Sequence, residues 1–261
     1  MPARPRGWRA VVLTVALIAA AGLVAFLVSQ RVTALNGSPA PLRPPGAAEP
    51  SPTPQPITDL ARAALSKVVT VEALRASDEE LGTGWLIDDK GDFVTNAHVV
   101  DGVLSVRLRD RHDHSHVGKV IGMDPATDIA VIRSTDGFEG SGLVVDEDPV
   151  DSPPFQVITI GAGRATGEQE LTLETLVQVG QDVPIDRTDV QPGSGTPATY
   201  HDMLELDGAR IFQGNSGGPV LDGDGKVIGI VTLASKSEPQ AFAIPVARVL
   251  QELLSFAARP G

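Results

Sequence analysis

Gly214-Asn215-Ser216-Gly217-Gly218-Pro219, continued by the apolar pair Val220-Leu221, is the stretch on which the reading of this chain turns. Ser216 stands among glycines, so no neighbouring side chain crowds its hydroxyl. Glycine also permits tight backbone and the close approach of a ligand. A loop of this kind can present a serine Oγ beside free backbone N–H groups. N–H groups so placed can hold the negative oxygen that develops on an attacked carbonyl. Taken alone, the stretch is equally well a glycine-rich β-turn. What separates the two readings is the rest of the chain, because a serine hydroxyl is a weak nucleophile and needs a base held by a third group.

Both groups have candidates upstream. Val94-Thr95-Asn96-Ala97-His98-Val99-Val100 places one histidine in an apolar, strand-like run, and Asp124-Pro125-Ala126-Thr127-Asp128 precedes the apolar run Ile129-Ala130-Val131-Ile132. The order His, Asp, Ser is the chain order of the chymotrypsin-type triad. With Gly82-Thr83-Gly84-Trp85 ahead of the histidine, these blocks resemble the HtrA (Deg) branch of the trypsin-like serine proteases over residues 65–244. The resemblance implies that His98 is the base, Asp128 the buried carboxylate that orients it, and Ser216 the nucleophile. It implies an oxyanion hole made by the N–H groups of Gly214 and Ser216. It implies an all-β fold of two antiparallel six-stranded barrels with the triad between them, acting on polypeptide substrates in protein quality control or stress response. Where digestive relatives carry an aspartate that pairs with a freshly cut N-terminus, this chain has Asn215, so activation without cleavage at the domain start is expected.

By the same register the pocket for the residue before the scissile bond is bounded by Arg210, Ile211 and Gln213 and by the strand Val231-Thr232-Leu233. No acidic residue occupies residues 208–216, so pairing of a substrate Lys or Arg is not expected. Apolar walls favour small or medium aliphatic residues. An inward Arg210 would instead favour Asp or Glu through a charge-assisted pair. The sequence ends soon after the catalytic unit, and no PDZ domain or aromatic trimer-building loop is recognised in it; the oligomeric state is open.

Composition agrees with a packed globular part. Hydrophobic residues make up 42% of the 261, but aromatics only 4%, so Val, Ile, Leu and Ala must fill the core. Residues 1–56 carry five arginines and one glutamate, whereas the remainder carries 16 basic and 32 acidic residues. An acidic globular part lacks the basic footprint of a nucleic-acid binder. There is no cysteine, so packing alone holds the fold. No cofactor is expected. His112, His114 and His116 alternate and on a strand would share one face, an arrangement able to bind a metal. The charged residues around them make a polar hairpin tip the simpler account, and no metal site is assigned. Asp222-Gly223-Asp224-Gly225 reads as a hairpin turn rather than a calcium loop, since no distal glutamate follows at loop spacing.

The chain divides into residues 1–9, an apolar helix at 10–29, a linker at 30–57, a first barrel at 58–150 and a second barrel with a terminal helix at 151–261. Arg4, Arg6 and Arg9 precede the apolar run 10–28, whose only polar member is Thr14. That length spans a lipid bilayer as a helix, and the positive flank places the N-terminus in the cytoplasm and the bulk outside. A signal peptide cleaved after Ala34 is the alternative. Eight prolines at 36–56 make a stiff, extended stalk. Short β-branched runs at 68–74, 81–87, 93–100, 103–108, 117–123 and 129–133 predict the first strand set. Runs at 157–161, 171–179, 203–206, 220–221 and 227–233 predict the second. Thr58 or Asp59 caps a short helix ending near Ala64, residues 182–200 form a long surface loop, and Val246, Val249, Leu250, Leu253 and Leu254 at helical spacing predict a helix over 245–258. Two non-proteolytic or differently placed alternatives stand beside this reading: a binding protein on a protease scaffold, and a secreted protease.

Overall fold

A computed structural model of the protein describes residues 55–75, 79–162, 168–185, 195–208, 214–235 and 239–260. The expected membrane span and the proline-rich stalk up to residue 54 lie outside these, and residues 55–57, expected as linker, open a helix instead. Among the described residues no helix is long and apolar enough to cross a membrane.

The fold is mostly β. Helix α1 (Gln55–Ala64) and a 3-10 turn (Leu65–Lys67) lead into β1 (Val68–Leu74), β2 (Glu79–Leu86) and β3 (Asp92–Thr95). A single helical turn, α2 (Ala97–Val100), is followed by β4 (Ser105–Arg109), β5 (Ser115–Asp124) and β6 (Ile129–Ser134). These six strands close into an antiparallel barrel in the order β1-β2-β3-β6-β5-β4. Then come β7 (Phe155–Ala162), β8 (Gln169–Pro184), β9 (Thr199–Asp207), β10 (Pro219–Leu221), β11 (Val227–Ala234) and β12 (Gln240–Pro245), closed in the order β10-β11-β12-β9-β8-β7. Helix α3 (Val246–Ala257) ends the described chain.

Strands β3 and β6 of the first barrel bury apolar residues on both faces, and the packing explains why. Successive strand residues point to opposite sides. In β3, Phe93 turns into the first barrel, where it meets Val69, Val71, Leu86, Leu108 and Ile132, while Val94 turns outward. The outward side is not solvent. Val94, Trp85, Ile129 and Val131 pack there against Ile160, Met203 and Ile230 of the second barrel and against Val249, Leu253 and Phe256 of α3. Val157, Leu176, Leu204, Leu206, Val220 and Val231 fill the second barrel. Three small cores thus replace one large aromatic core.

Helix α3 leaves the second barrel and lies on the first. Phe256 covers Gly122 of β5 so closely that a Cβ at Gly122 would stand 2.2 Å from the Phe256 ring. Arg133 of β6 fastens the helix end. Its Nε and Nη2 donate to the two oxygens of the fully buried Asp92 at 2.6 and 2.7 Å, and Nη2 and Nη1 donate to the carbonyls of Ala257 and Arg259 at 2.7 and 2.9 Å. A cation at a helix C-terminus also meets the negative end of the helix dipole.

Several sequence expectations are corrected. The run 93–100 is not one strand: β3 stops at Thr95 and α2 follows. A strand would send Ala97 and Val99 to the side opposite Val100. One helical turn buries all three and leaves His98 facing outward. Residues 240–245 form a strand that the sequence reading passed over, because alanine is a weak strand former; Ala241 and Ala243 are small to fit a crowded interior. The loop expected at 182–200 is shortened by β8 and β9, and α1 begins at Gln55, ahead of Thr58 and Asp59.

Two measurements test this account. Arg133→Ala leaves the Asp92 carboxylate buried and unpaired, so the urea midpoint should fall by an amount equivalent to about 3–5 kcal/mol, and the Asp92→Asn/Arg133→Met pair should lose less. Glu174 supplies a pH test. It lies inside the second barrel, where Thr159 Oγ1 donates to its Oε1 at 3.1 Å and its Oε2 has no partner among the described residues. Burial, partly opposed by that bond, pushes its pKa from 4.5 up to about 7. A raised carboxyl contributes stability that is present below pH 4.5 and lost as pH rises through about 7. Stability should therefore fall by on the order of 3 kcal/mol between those limits, and Glu174→Gln should flatten that slope; an unchanged slope in the variant would remove Glu174 as its source.

Candidate active site

The turn between β5 and β6 sets the position of Asp128. Asp124 accepts from the Ala126 N–H at 3.0 Å and from Thr127 Oγ1 at 2.6 Å, which curls Asp124-Pro125-Ala126-Thr127 into a compact turn. The turn ends with Asp128 in the left-handed region, φ 57°, a conformation that aspartate tolerates better than most residues. This turns the carboxylate inward between the barrels, where it is 2% exposed. Its Oδ1 accepts from the His98 backbone N–H at 3.0 Å, its Oδ2 accepts from Tyr200 Oη at 2.9 Å, and His98 Nδ1 reaches both oxygens, Oδ2 at 2.9 Å. A buried carboxylate is costly unless its lone pairs are filled in this way.

His98 is presented by α2. Asn96 precedes the turn in extended conformation and donates from Nδ2 to the Asp128 carbonyl at 2.9 Å and to Thr232 Oγ1 at 3.0 Å. Arg75 closes the other end, donating from Nε to the Asp101 carbonyl at 2.9 Å and from Nη2 to the His98 carbonyl at 3.1 Å, with Glu80 against its Nη1. Burial alone would lower the imidazole pKa. The charge of Asp128 and the hydrogen bond to it outweigh that, Glu80 adds to them and Arg75 opposes, so the His98 pKa lies above its ordinary 6.5.

The serine loop is stapled to both barrels. Gly217 N–H donates to the Val231 carbonyl and Val231 N–H to the Gly218 carbonyl, both at 2.8 Å, which ties the loop to β11. From the first barrel, Thr83 N–H donates to the Ser216 carbonyl at 2.8 Å and Thr83 Oγ1 to the Gly214 carbonyl at 2.7 Å. The glycines are required by this closeness. Gly217 has φ 87°, and a Cβ there would stand 2.2 Å from the Thr83 carbonyl oxygen. Gly214, at φ 107°, also lies in the region that L side chains avoid. Among the described residues, neither the Gly214 nor the Ser216 N–H donates to an acceptor. Ser216 Oγ is partly exposed and turned toward the Thr232 carbonyl at 3.4 Å. Val99, next to His98, and the Ser216 carbonyl both crowd Gly82, so the loop and α2 meet at one point of β2.

The expected pocket residues separate. Arg210, Ile211 and Gln213 lie outside the described residues. Val231 points into the second barrel and is 1% exposed, so its side chain is core rather than pocket wall. Thr232 sits at a β-bulge of β11, buried, with its hydroxyl between Asn96 and the Ile230 carbonyl and its own carbonyl toward Ser216. Leu233 is partly exposed and packs on the interbarrel core. Asn215 is buried against Gly161.

Tyr200, Asn96, Arg75 and the hydroxyl of Thr83 were not singled out from sequence; a signal was present only for Tyr200, the sole tyrosine of the chain. The three alternating histidines do not share a strand face. His112 and His114 lie at the hairpin tip, the first accepting from Arg111 Nε and the second facing Asp110, while His116 in β5 faces Asp136. Among the described residues no group of His, Asp or Glu could hold a metal ion.

Comparison with known proteins agrees with this geometry. The profile of the trypsin-like peptidase domain matches residues 82–230. A putative serine protease, HhoA, from Synechocystis sp. is 34% identical over 180 residues, covering 67% of this chain and 43% of that one. A probable periplasmic serine endoprotease, DegP-like, from Marinomonas sp. is 33% identical over 156 residues, covering 58% and 29%. The chain thus spans less than half the length of these curated relatives. The crystal structure of the Rv3671c protease from M. tuberculosis in its active form superposes with a TM-score of 0.68 at 25% identity, covering 82% of this chain and 90% of that one. With its barrels, its histidine–aspartate pair and its glycine-framed serine, the chain belongs to the trypsin-like peptidase family, alongside relatives of the HtrA and DegP-like kind.

Proposed function

We propose that the protein is a serine endopeptidase that cuts polypeptides through an acyl-enzyme, with His98, Asp128 and Ser216 as its triad. The observation that carries this reading is the His98–Asp128 pair: a buried, fully hydrogen-bonded carboxylate fixing the Nδ1 proton of a histidine that leaves Nε2 for the cleft. The mechanism requires the Ser216 side chain to rotate away from Thr232 and bring Oγ to Nε2. Nε2 takes the hydroxyl proton as Oγ attacks the scissile carbonyl, and the N–H groups of Gly214 and Ser216 receive the oxyanion. The imidazolium then returns that proton to the leaving amine, and a water repeats the cycle on the ester. The apolar run 10–28 holds the protein in a membrane with the peptidase outside the cytoplasm, in keeping with the periplasmic relative. Among the described residues the partly exposed Leu233 is the pocket wall for an aliphatic residue before the scissile bond.

Ser216→Ala should lower peptide hydrolysis by roughly 10³-fold or more and abolish labelling by a fluorophosphonate, with the thermal melt unchanged; equal activity in that variant sinks the mechanism. For topology, a reporter active only outside the cytoplasm, fused after Gly261, should be active and sediment with membranes, whereas activity of a cytoplasmic reporter would reverse the orientation.

A further inference from the structure

Tyr200 is buried at 4% exposure and is the only tyrosine in the chain. Phenylalanine would fill the same space, so packing does not account for the hydroxyl. The hydroxyl donates to Asp128 Oδ2 at 2.9 Å. Tyr200 is the second residue of β9 and pairs with Val183 of β8, so its ring is carried by the second barrel, while Asp128 belongs to the first. Apart from His98, no other described side chain donates to this carboxylate. The nearby hydroxyl of Thr232 is engaged by Asn96 and the Ile230 carbonyl. Without Tyr200, Oδ2 would keep only His98 Nδ1.

We propose that Tyr200 is a positioning residue for the triad: its hydrogen bond fixes the rotation of the Asp128 carboxylate and withdraws part of its charge, so that the basicity of His98 is set from both barrels. This rests on the catalytic reading above. The phenol stays a donor throughout, because burial, and then the neighbouring Asp128 charge, push its ionisation upward. A carboxylate relieved of this donor is richer in charge and stabilises the imidazolium more strongly. The other groups acting on His98 are Glu80, which favours its protonation, and Arg75, which opposes it; both lie on the first barrel and are untouched by a change at Tyr200.

The test is Tyr200→Phe in the full chain. The His98 ring is followed by NMR titration, which needs no activity, and kcat and KM are measured against pH on a peptide substrate. The His98 midpoint should rise by roughly half to one unit. The acid limb of kcat/KM should move up with it, and kcat near neutral pH should fall about tenfold with KM within about twofold. A His98 midpoint that is unchanged or lowered, in a variant that still melts cooperatively, overturns the proposal and leaves Tyr200 as packing. A raised midpoint in a protein that neither hydrolyses peptides nor labels with a fluorophosphonate upholds the positioning role and removes only the peptidase reading.

Discussion

The arrangement of the cleft depends on one threonine hydroxyl. Thr83 sits at the middle of β2, wholly buried, and its Oγ1 both donates to the Gly214 carbonyl and accepts from the Ala162 N–H at 2.9 Å. Its backbone N–H holds Ser216, and its carbonyl accepts from Thr95 at 2.8 Å. One residue of the first barrel therefore registers the end of β7 and the serine loop of the second. Valine has the same outline but neither donor nor acceptor, and it would leave two backbone groups buried without partners. The registration matters to the proposed triad because its members are divided: the histidine and aspartate come from one barrel and the serine from the other.

The division also explains the polar residues around the proposed triad. Asn96 and Thr232 meet across the barrel interface, as do Tyr200 and Asp128, and Gln169 donates to the Val68 carbonyl at 2.7 Å. Apolar packing between the barrels holds them together but is indifferent to small sliding. Directional bonds are not. Buried hydrogen bonds at the interface give the cleft a single geometry, and the apolar cores give it strength.

The parts of this design that follow local rules were legible in the sequence. The limits of β1 could be read at 68–74 because a run rich in β-branched residues is flanked by the polar residues Ser66-Lys67 and Arg75, and β6 could be read almost as closely. The serine loop was legible only because a histidine and an aspartate precede it in triad order; alone, its three glycines read equally well as a turn. Contacts between distant residues were not. His98 lies in an apolar run that is strand-like by composition, yet its helical turn is set by Asn96 reaching Asp128 and by Arg75, just past β1, reaching its carbonyl. Val231 was expected at the pocket from register alone, but strand alternation sends its side chain into the barrel and leaves Thr232 at the bulge. β12 was hidden because its alanines carry little strand signal, and its place is fixed by β11 and β9 on either side. Tyr200 could not be connected to Asp128, because nothing between them in the chain announces the meeting.

Helix α3 has a consequence for how the chain is made. It follows both barrels in the sequence, yet it covers the face of the first around Gly122 and is gripped by Arg133. A ribosome delivers the first barrel more than a hundred residues before the piece that shields its outer side. Until then Val94, Val131 and Ile129 present an apolar surface with nothing on it, and exposed surface of that kind invites association with other chains. Docking of the helix can therefore come only after the rest of the chain has been made, and the face around Gly122 stays uncovered until then.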